Sequence, residues 1–302
     1  MSILFDSFQE WGNFCQTQST PLWQPVLEYE IEQKGRTEAE IWNGIEQAYS
    51  VMCQAIETGL TKDMRSFSGM INNGAKRVRD CKINVLNEDF RKLIYRTLAA
   101  KEVNSCMGKI VAAPTAGASG ILPGILFHLQ DIHQLPNQKI YEAMLVAAGV
   151  ALIIERRASI AGAVGGCQAE TGTAAAMGAA AIVYCLGGSW QQSFNAVAIT
   201  IMNMLGLICD PIAGLVEVPC VKRNASAAAI AYTAAQMAIA DYDPIIPVDE
   251  VVDVMGEVGE SMERKYKETA LGGLAATPTG KAIAQRVLQT SAEILPPDEP
   301  EN

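Results

Sequence analysis

Three cysteines, Cys167, Cys209 and Cys220, have the side chains and the setting for chemistry, with 41 and 10 residues between successive thiols. Each adjoins a residue that interrupts regular structure: Gly165-Gly166 precede Cys167, Asp210-Pro211 follow Cys209, and Pro219 precedes Cys220. Thiols packed as small apolar side chains need no such neighbours. Thiolates converging from three loops onto a metal centre do. A closed zinc site usually takes four ligands with a short C-x₂₋₄-C clip, and this chain offers neither a clip nor an evident fourth ligand. Thiolate-rich sites otherwise point to iron–sulfur clusters. The reading is therefore a 4Fe–4S cluster on three cysteines, with one iron open as a Lewis acid. Hydroxide is a poor leaving group, since bulk water has a pKa of about 15.7; coordination to such an iron would let a substrate hydroxyl depart. Cys15, Cys53, Cys81, Cys106 and Cys185 lack this setting and read as packing or surface residues.

Around the thiols lie the residues expected to hold a substrate. Lys222, Arg223 and Asn224 come just after Cys220 and suit a carboxylate; without Cys220 two residues away, a solvated helix start would be the reading of the two cations. The stretch GKIVAAPTAGASGILPG (108–124) places Thr115, Gly117, Ser119 and Gly120 in a loop before a helix predicted from about Ile121. Its glycines allow close backbone approach, and the helix start offers unpaired N–H groups to an anion. It is neither a Walker A loop nor a G-x-G-x-x-G fingerprint; alone, it reads equally well as a tight connection. The segment SFSGMINNGAKRVRDCK reads as a solvated loop or, more sharply, as a substrate-facing one whose Ser and N–H groups sit beside Lys76 and Arg77. His128 and His133 are the only histidines. Their spacing does not share a helix face, and both read as ordinary residues, so a histidine base would have to come from elsewhere.

The frame for these loops is predicted to be all-α: one domain over 1–302, with N-terminal helices over 1–60, further helices near 86–107, 138–160, 173–187, 194–208 and 225–240, an acidic helix after Asp241, two Gly-rich turns around Pro278, and a mobile polar tail over 290–302. Thr37-Glu38-Ala39-Glu40 resembles a capping box, and Ile41, Ile45, Ala48, Met52, Ala55 and Ile56 recur near a 3.6 period. Ala-rich runs without alternation or β-branched clusters argue against a sheet. With 49% hydrophobic and 19% charged residues the chain can bury a large core, and a net charge of −10 argues against nucleic acid as partner. No secretory leader is evident. Eight cysteines then suggest a reducing, cytoplasmic setting with free or metal-bound thiols. The apolar runs near 143–154, 173–187 and 195–209 fall short of the roughly 20 residues a membrane span needs, so buried helices are expected and no membrane.

The stretches VAAPTAGASGILPG, GGCQAETGTAAAMGAAA, GLICDPIAGLVEVPCVKRNA and ETALGGLAATPTGK, within residues 28–286, resemble the α subunit of bacterial iron–sulfur-dependent L-serine dehydratase. The resemblance implies an all-helical domain whose 4Fe–4S ligands fall on Cys167, Cys209 and Cys220. It also implies deamination of L-serine to pyruvate and ammonia without pyridoxal phosphate. A separate β subunit is implied as partner, because single-chain relatives carry a fused β domain with a histidine thought to act in catalysis. Two places depart from the family pattern: Thr171 and Thr173 stand in the Gln-Ala-Glu segment, and Asn72-Asn73 stand where Ser-Gly-x-x-Gly-Gly is usual. The latter widens the expected substrates to threonine or cysteine. An L-cysteine desulfidase-type lyase and a non-catalytic cluster-binding subunit are the alternatives.

Overall fold

In the computed structural model, which describes residues 5–294, the N-terminal third begins with α1 (Phe8–Gln18), α2 (Trp23–Lys34) and α3 (Glu38–Thr61). Ser7 accepts a hydrogen bond from the Glu10 N–H at 3.1 Å and starts α1, whose Phe8 and Trp11 are wholly buried. The capping box at α3 is present: the Glu40 N–H donates to Thr37 Oγ1 at 3.3 Å while Glu40 Oε2 accepts from the Thr37 N–H at 2.8 Å. Beyond it follow α4 (Gly74–Asp80), α5 (Glu88–Ser105), α6 (Ile121–His133), α7 (Asn137–Arg157) and the short α8 (Gly162–Gly165). A π-helical turn (Gln168–Gly172) leads into α9 (Thr173–Cys185), and α10 (Trp190–Met202), α11 (Cys220–Ile239), α12 (Val248–Ser261) and α13 (Pro278–Ile294) complete the order. Among the described residues there is no strand, so the all-α expectation holds.

Alanine and glycine decide how these helices meet. Every residue of α9 except Tyr184 is buried, and α6, α7, α10 and α11 pack around it. Small side chains let neighbouring backbones approach, so tight packing replaces large apolar contacts. At Gly178 a methyl group would overlap Ile125 of α6, and at Gly59 it would run into the Ala99 carbonyl where α3 crosses α5. The apolar run near 143–154 belongs to the 21-residue α7, which by length and composition alone could cross a membrane. Here it packs against α2 and α9, with half of its apolar window buried.

Two helices lie where loops were expected. Residues 74–80 form α4 inside the polar stretch, seated on α5. Pro278 is the first residue of α13 rather than part of a turn: Thr277 precedes it in extended conformation, and its Oγ1 accepts from the Gly280 N–H at 3.1 Å. Proline is favoured at that position because the missing N–H has no partner to lose. Of the expected mobile tail, 290–294 is helical, and 295–302 lies outside the described residues.

His128 is an ordinary core residue, as its spacing suggested. It packs edge-on to Tyr232 with ring centroids 5.5 Å apart and lies 3.3 Å from Arg96 Nη1. Burial first, and then the Arg96 charge, pull its pKa from 6.5 down to about 4. The unfolded chain takes up this proton below about 6.5 whereas the folded chain does so only near 4. Its contribution to stability is therefore complete above that window and is lost as pH falls through it, by about 3 kcal/mol in all. Urea unfolding of His128→Gln should show a flatter fall in stability between pH 6.5 and 4 than the parent; parallel profiles would contradict the assignment.

Candidate active site

Cys167 ends the turn after α8, where Gly166 has φ +75°, a left-handed value that glycine adopts without strain. A side chain there would also meet Met262 Sδ at 2.7 Å. The following π turn is bolted on both sides by Gln168, whose Nε2 donates to the Met255 carbonyl and whose Oε1 accepts from the Gly206 N–H, each at 2.9 Å. Such insertions often mark functional positions because they re-aim side chains. Here the result is that Cys167 Sγ and Thr171 Oγ1 share a hydrogen bond at 2.8 Å.

A strap from the far C-terminal side holds Cys209. Its N–H donates to the Tyr266 carbonyl at 2.8 Å and its carbonyl accepts from the Glu268 N–H at 2.9 Å, an isolated parallel bridge. Asp210, 2% exposed, pairs with Arg223 Nη1 at 2.9 Å and accepts from the Leu274 N–H at 2.7 Å. Gly273, with φ +58°, leaves the room this carboxylate needs. Cys220 opens α11. Four residues on, Asn224 is wholly buried and donates to the carbonyls of Cys220 and Gly117 at 2.9 Å, while accepting from the Gly120 N–H at 3.0 Å.

These three turns bring the thiols into one another's electrostatic reach. All three are free and buried. Burial raises each thiol: Cys220 to about 12, and Cys167 and Cys209 also upward. The other thiols and Glu170 push Cys209 further up, whereas Lys101 and Arg223 oppose the rise at Cys220. Among the described residues no three His, Cys, Asp or Glu side chains close up far enough for a single metal ion. The donor set is three separated, desolvated thiols with a Gly162 that keeps space free beside Cys209 Sγ, and this fits a multi-atom cluster better than a lone ion.

The expected substrate-binding residues divide. Thr115 Oγ1 donates to Glu170 Oε1, and Gly117 exists to make room for that carboxyl, since a methyl group there would overlap it. Ser119 Oγ is buried and has no hydrogen-bond partner among the described residues. Gly120 and Asn224 are occupied with each other. Arg223 borders Cys167 and holds the Ile208 carbonyl at 2.8 Å. Lys222 is exposed and lines a cleft of about 460 Å³ whose walls, with Arg77 and Asn72, include none of the three thiols.

Several residues at the site carry no obvious mark in the sequence. Lys101 is wholly buried on α5; it donates to the Val216 carbonyl at 3.0 Å and to Asn104. Burial lowers its pKa to about 8, against the pull of Cys220, Glu170 and Glu217. In the loop between α3 and α4, Ser66 and Ser68 both donate to Glu217 Oε2, the former at 2.5 Å. The Ser loop thus reaches Glu217, three residues before Cys220, through its serines and not through Lys76 or Arg77. Glu268, φ +60°, completes the set; burial and Glu170 raise its carboxyl.

A model of the serine dehydratase alpha chain family matches residues 17–275. The chain belongs to that family. It is 40% identical over 289 residues to the L-serine dehydratase alpha chain of Peptoniphilus asaccharolyticus, covering 95% of this chain and 99% of the relative. To the probable L-serine dehydratase alpha chain of Bacillus subtilis it is 41% identical, covering 87% and 88% respectively. An L-serine dehydratase of Streptomyces coelicolor matches 83% of this chain at 37% identity, but this accounts for only 56% of that longer relative.

In this family member the Asn-Asn departure is a backbone matter. Asn73 has φ +51°, the left-handed region that asparagine tolerates best after glycine, and its Oδ1 accepts from the Met64 N–H at 2.9 Å. Asn72 is exposed. Gly117→Ala should leave the protein folded, by circular dichroism, but displace Glu170 and lower turnover at least 100-fold; near-parental turnover would show that the Glu170 position is dispensable.

Proposed function

We propose that this chain is the alpha subunit of an L-serine dehydratase, which converts L-serine to pyruvate and ammonia, with a 4Fe–4S cluster held by Cys167, Cys209 and Cys220. The observation that carries the reading is three buried, free thiols brought from three glycine- and proline-bounded turns into one another's electrostatic reach, in a chain of this family. In that reaction the α-proton and the β-hydroxyl leave as water. The resulting 2-aminoacrylate becomes its imine, and water hydrolyses the imine to pyruvate and ammonia. The cluster, when bound, supplies a Lewis-acidic iron for the hydroxyl.

The chain's own residues do the positioning. Lys101 and Arg223 place two cations beside the thiols, so that the three can lose protons on loading without leaving naked charge in a desolvated pocket. Thr115 orients Glu170, and Ser119 offers an unpartnered hydroxyl to substrate. His128 is committed to Arg96 and Tyr232, and His133 is exposed, so neither serves the thiol pocket. The alpha-chain names of the relatives support a beta-type second chain as partner, and eight free cysteines support a cytoplasmic setting.

Replacing Cys167, Cys209 or Cys220 by Ser should abolish iron and acid-labile sulfide after anaerobic reconstitution, and with them pyruvate formation from L-serine. Replacing Cys15, Cys53, Cys81, Cys106 or Cys185 should leave both intact. Equal losses in the two sets would defeat the ligand assignment. Sulfide release from L-cysteine exceeding pyruvate release from L-serine would move the reading to the desulfidase alternative.

A further inference from the structure

The acidic side of the pocket forms no ion pair among the described residues, although the Lys101 charge is felt at Glu170. A side chain on Gly162 would place its Cβ 3.2 Å from Cys209 Sγ, 3.4 Å from Glu268 Oε2 and 3.5 Å from Glu170 Oε2. Three groups therefore surround one spot that glycine leaves open, and two of them are carboxylates. Thr115 occupies Oε1 of Glu170, but among the described residues neither Glu170 nor Glu268 forms an ion pair. Like charges that face each other are destabilising unless a cation joins them. Lys101 and Arg223 are both engaged elsewhere, with the Val216 carbonyl and with Asp210.

The two carboxylates also differ in their setting. Glu170 is 8% exposed and fixed by the π turn, whereas Glu268 lies on the exposed strap, where a left-handed φ of +60° turns it toward Cys209. Glu268 is thus at the rim and Glu170 at the wall. Two residues beyond Gly117, which is moulded to the Glu170 carboxyl, lies the unpartnered and buried Ser119 hydroxyl. The spot beside Gly162 is thus bordered by a carboxylate pair and by one of the three thiols.

We propose that Glu268, facing Glu170 across the space left by Gly162, receives the α-ammonium group of the amino-acid substrate and makes the site select amino acids over the corresponding acids without nitrogen. The inference rests on the serine dehydratase reading for the identity of the substrate, but its logic needs only an amino acid. A charge-assisted hydrogen bond to the ammonium would strengthen binding of the aminated ligand alone. A merely structural role in the strap, through the Glu268 N–H on the Cys209 carbonyl, would be indifferent to the side-chain charge.

The test compares Glu268→Gln and Glu268→Asp with the parent, each as reconstituted enzyme with its partner chain. Calorimetry gives the dissociation constants of L-alanine and propanoate, which differ only in the ammonium group and undergo no elimination. The parent should bind L-alanine at least tenfold more tightly than propanoate. In Glu268→Gln that preference should vanish while propanoate affinity and iron content stay within twofold. Glu268→Asp, which keeps the charge, should retain most of the preference. A parent that binds both ligands equally, or neither, overturns the proposal, as does a preference surviving in Glu268→Gln or lost equally in Glu268→Asp. Failure of the dehydratase reading would look different: no pyruvate from L-serine in the parent, with the L-alanine preference and its dependence on Glu268 unchanged.

Discussion

Asn224 is wholly buried, and its carboxamide reaches three backbone groups at once: the carbonyls of Cys220 and Gly117 and the Gly120 N–H. Leaving any one of these unmade inside the protein costs about 1–3 kcal/mol, far more than the net gain of making it. The side chain therefore fixes the distance between the first turn of α11 and the 115–120 loop. Everything on either side inherits that spacing. On one side Cys220 is set at the helix start; on the other Thr115 is set to hold Glu170, which itself follows Cys167 by three residues. Two of the three thiol-bearing turns are thereby registered to each other through one amide.

The third turn is registered from a distance. Cys209 is paired with Tyr266 and Glu268, and Asp210 with Leu274 and Arg223, so the strap and α11 grip the same short segment from opposite directions. Loops of this kind would ordinarily be mobile. Here their polar groups are taken up by one another, and the Ala-rich packing around α9 supplies a rigid floor. An all-helical frame suits the task because it positions loops from many directions while its own backbone groups remain satisfied.

What could be read from the residues was what short-range pattern determines. Thr37 and Glu40 announced their capping box, the Ala-rich runs their helices, and the glycine and proline neighbours of three cysteines their loops. α13 was legible in principle from Thr277-Pro278, an N-cap followed by proline, but the neighbouring glycines looked like turns. Lys101 and Glu170 were harder. Lys101 lies on the face of α5 that carries Ile94 and Leu98, a spacing that places it inward, yet a lysine beside Glu102 passes for a solvated helix surface. Glu268 acquires meaning only when the strap meets Cys209, 59 positions earlier in the chain, and no local pattern encodes that meeting.

The electrostatics of the pocket bear first on the three thiols at the convergence. Burial favours the protonated form of each of the three thiols, so they add no charge of their own to the two carboxylates beside them. The groups that would stabilise the thiolates are already in place: the N-terminal end of α11 at Cys220, with Lys101 and Arg223 beside it. On the reading proposed above, the protons leave only when a cluster arrives to take their place, and loading becomes steeply dependent on pH through the three thiols together. The desolvation that holds the thiols neutral thus lets an all-helical chain keep a charged site in reserve within a close-packed interior.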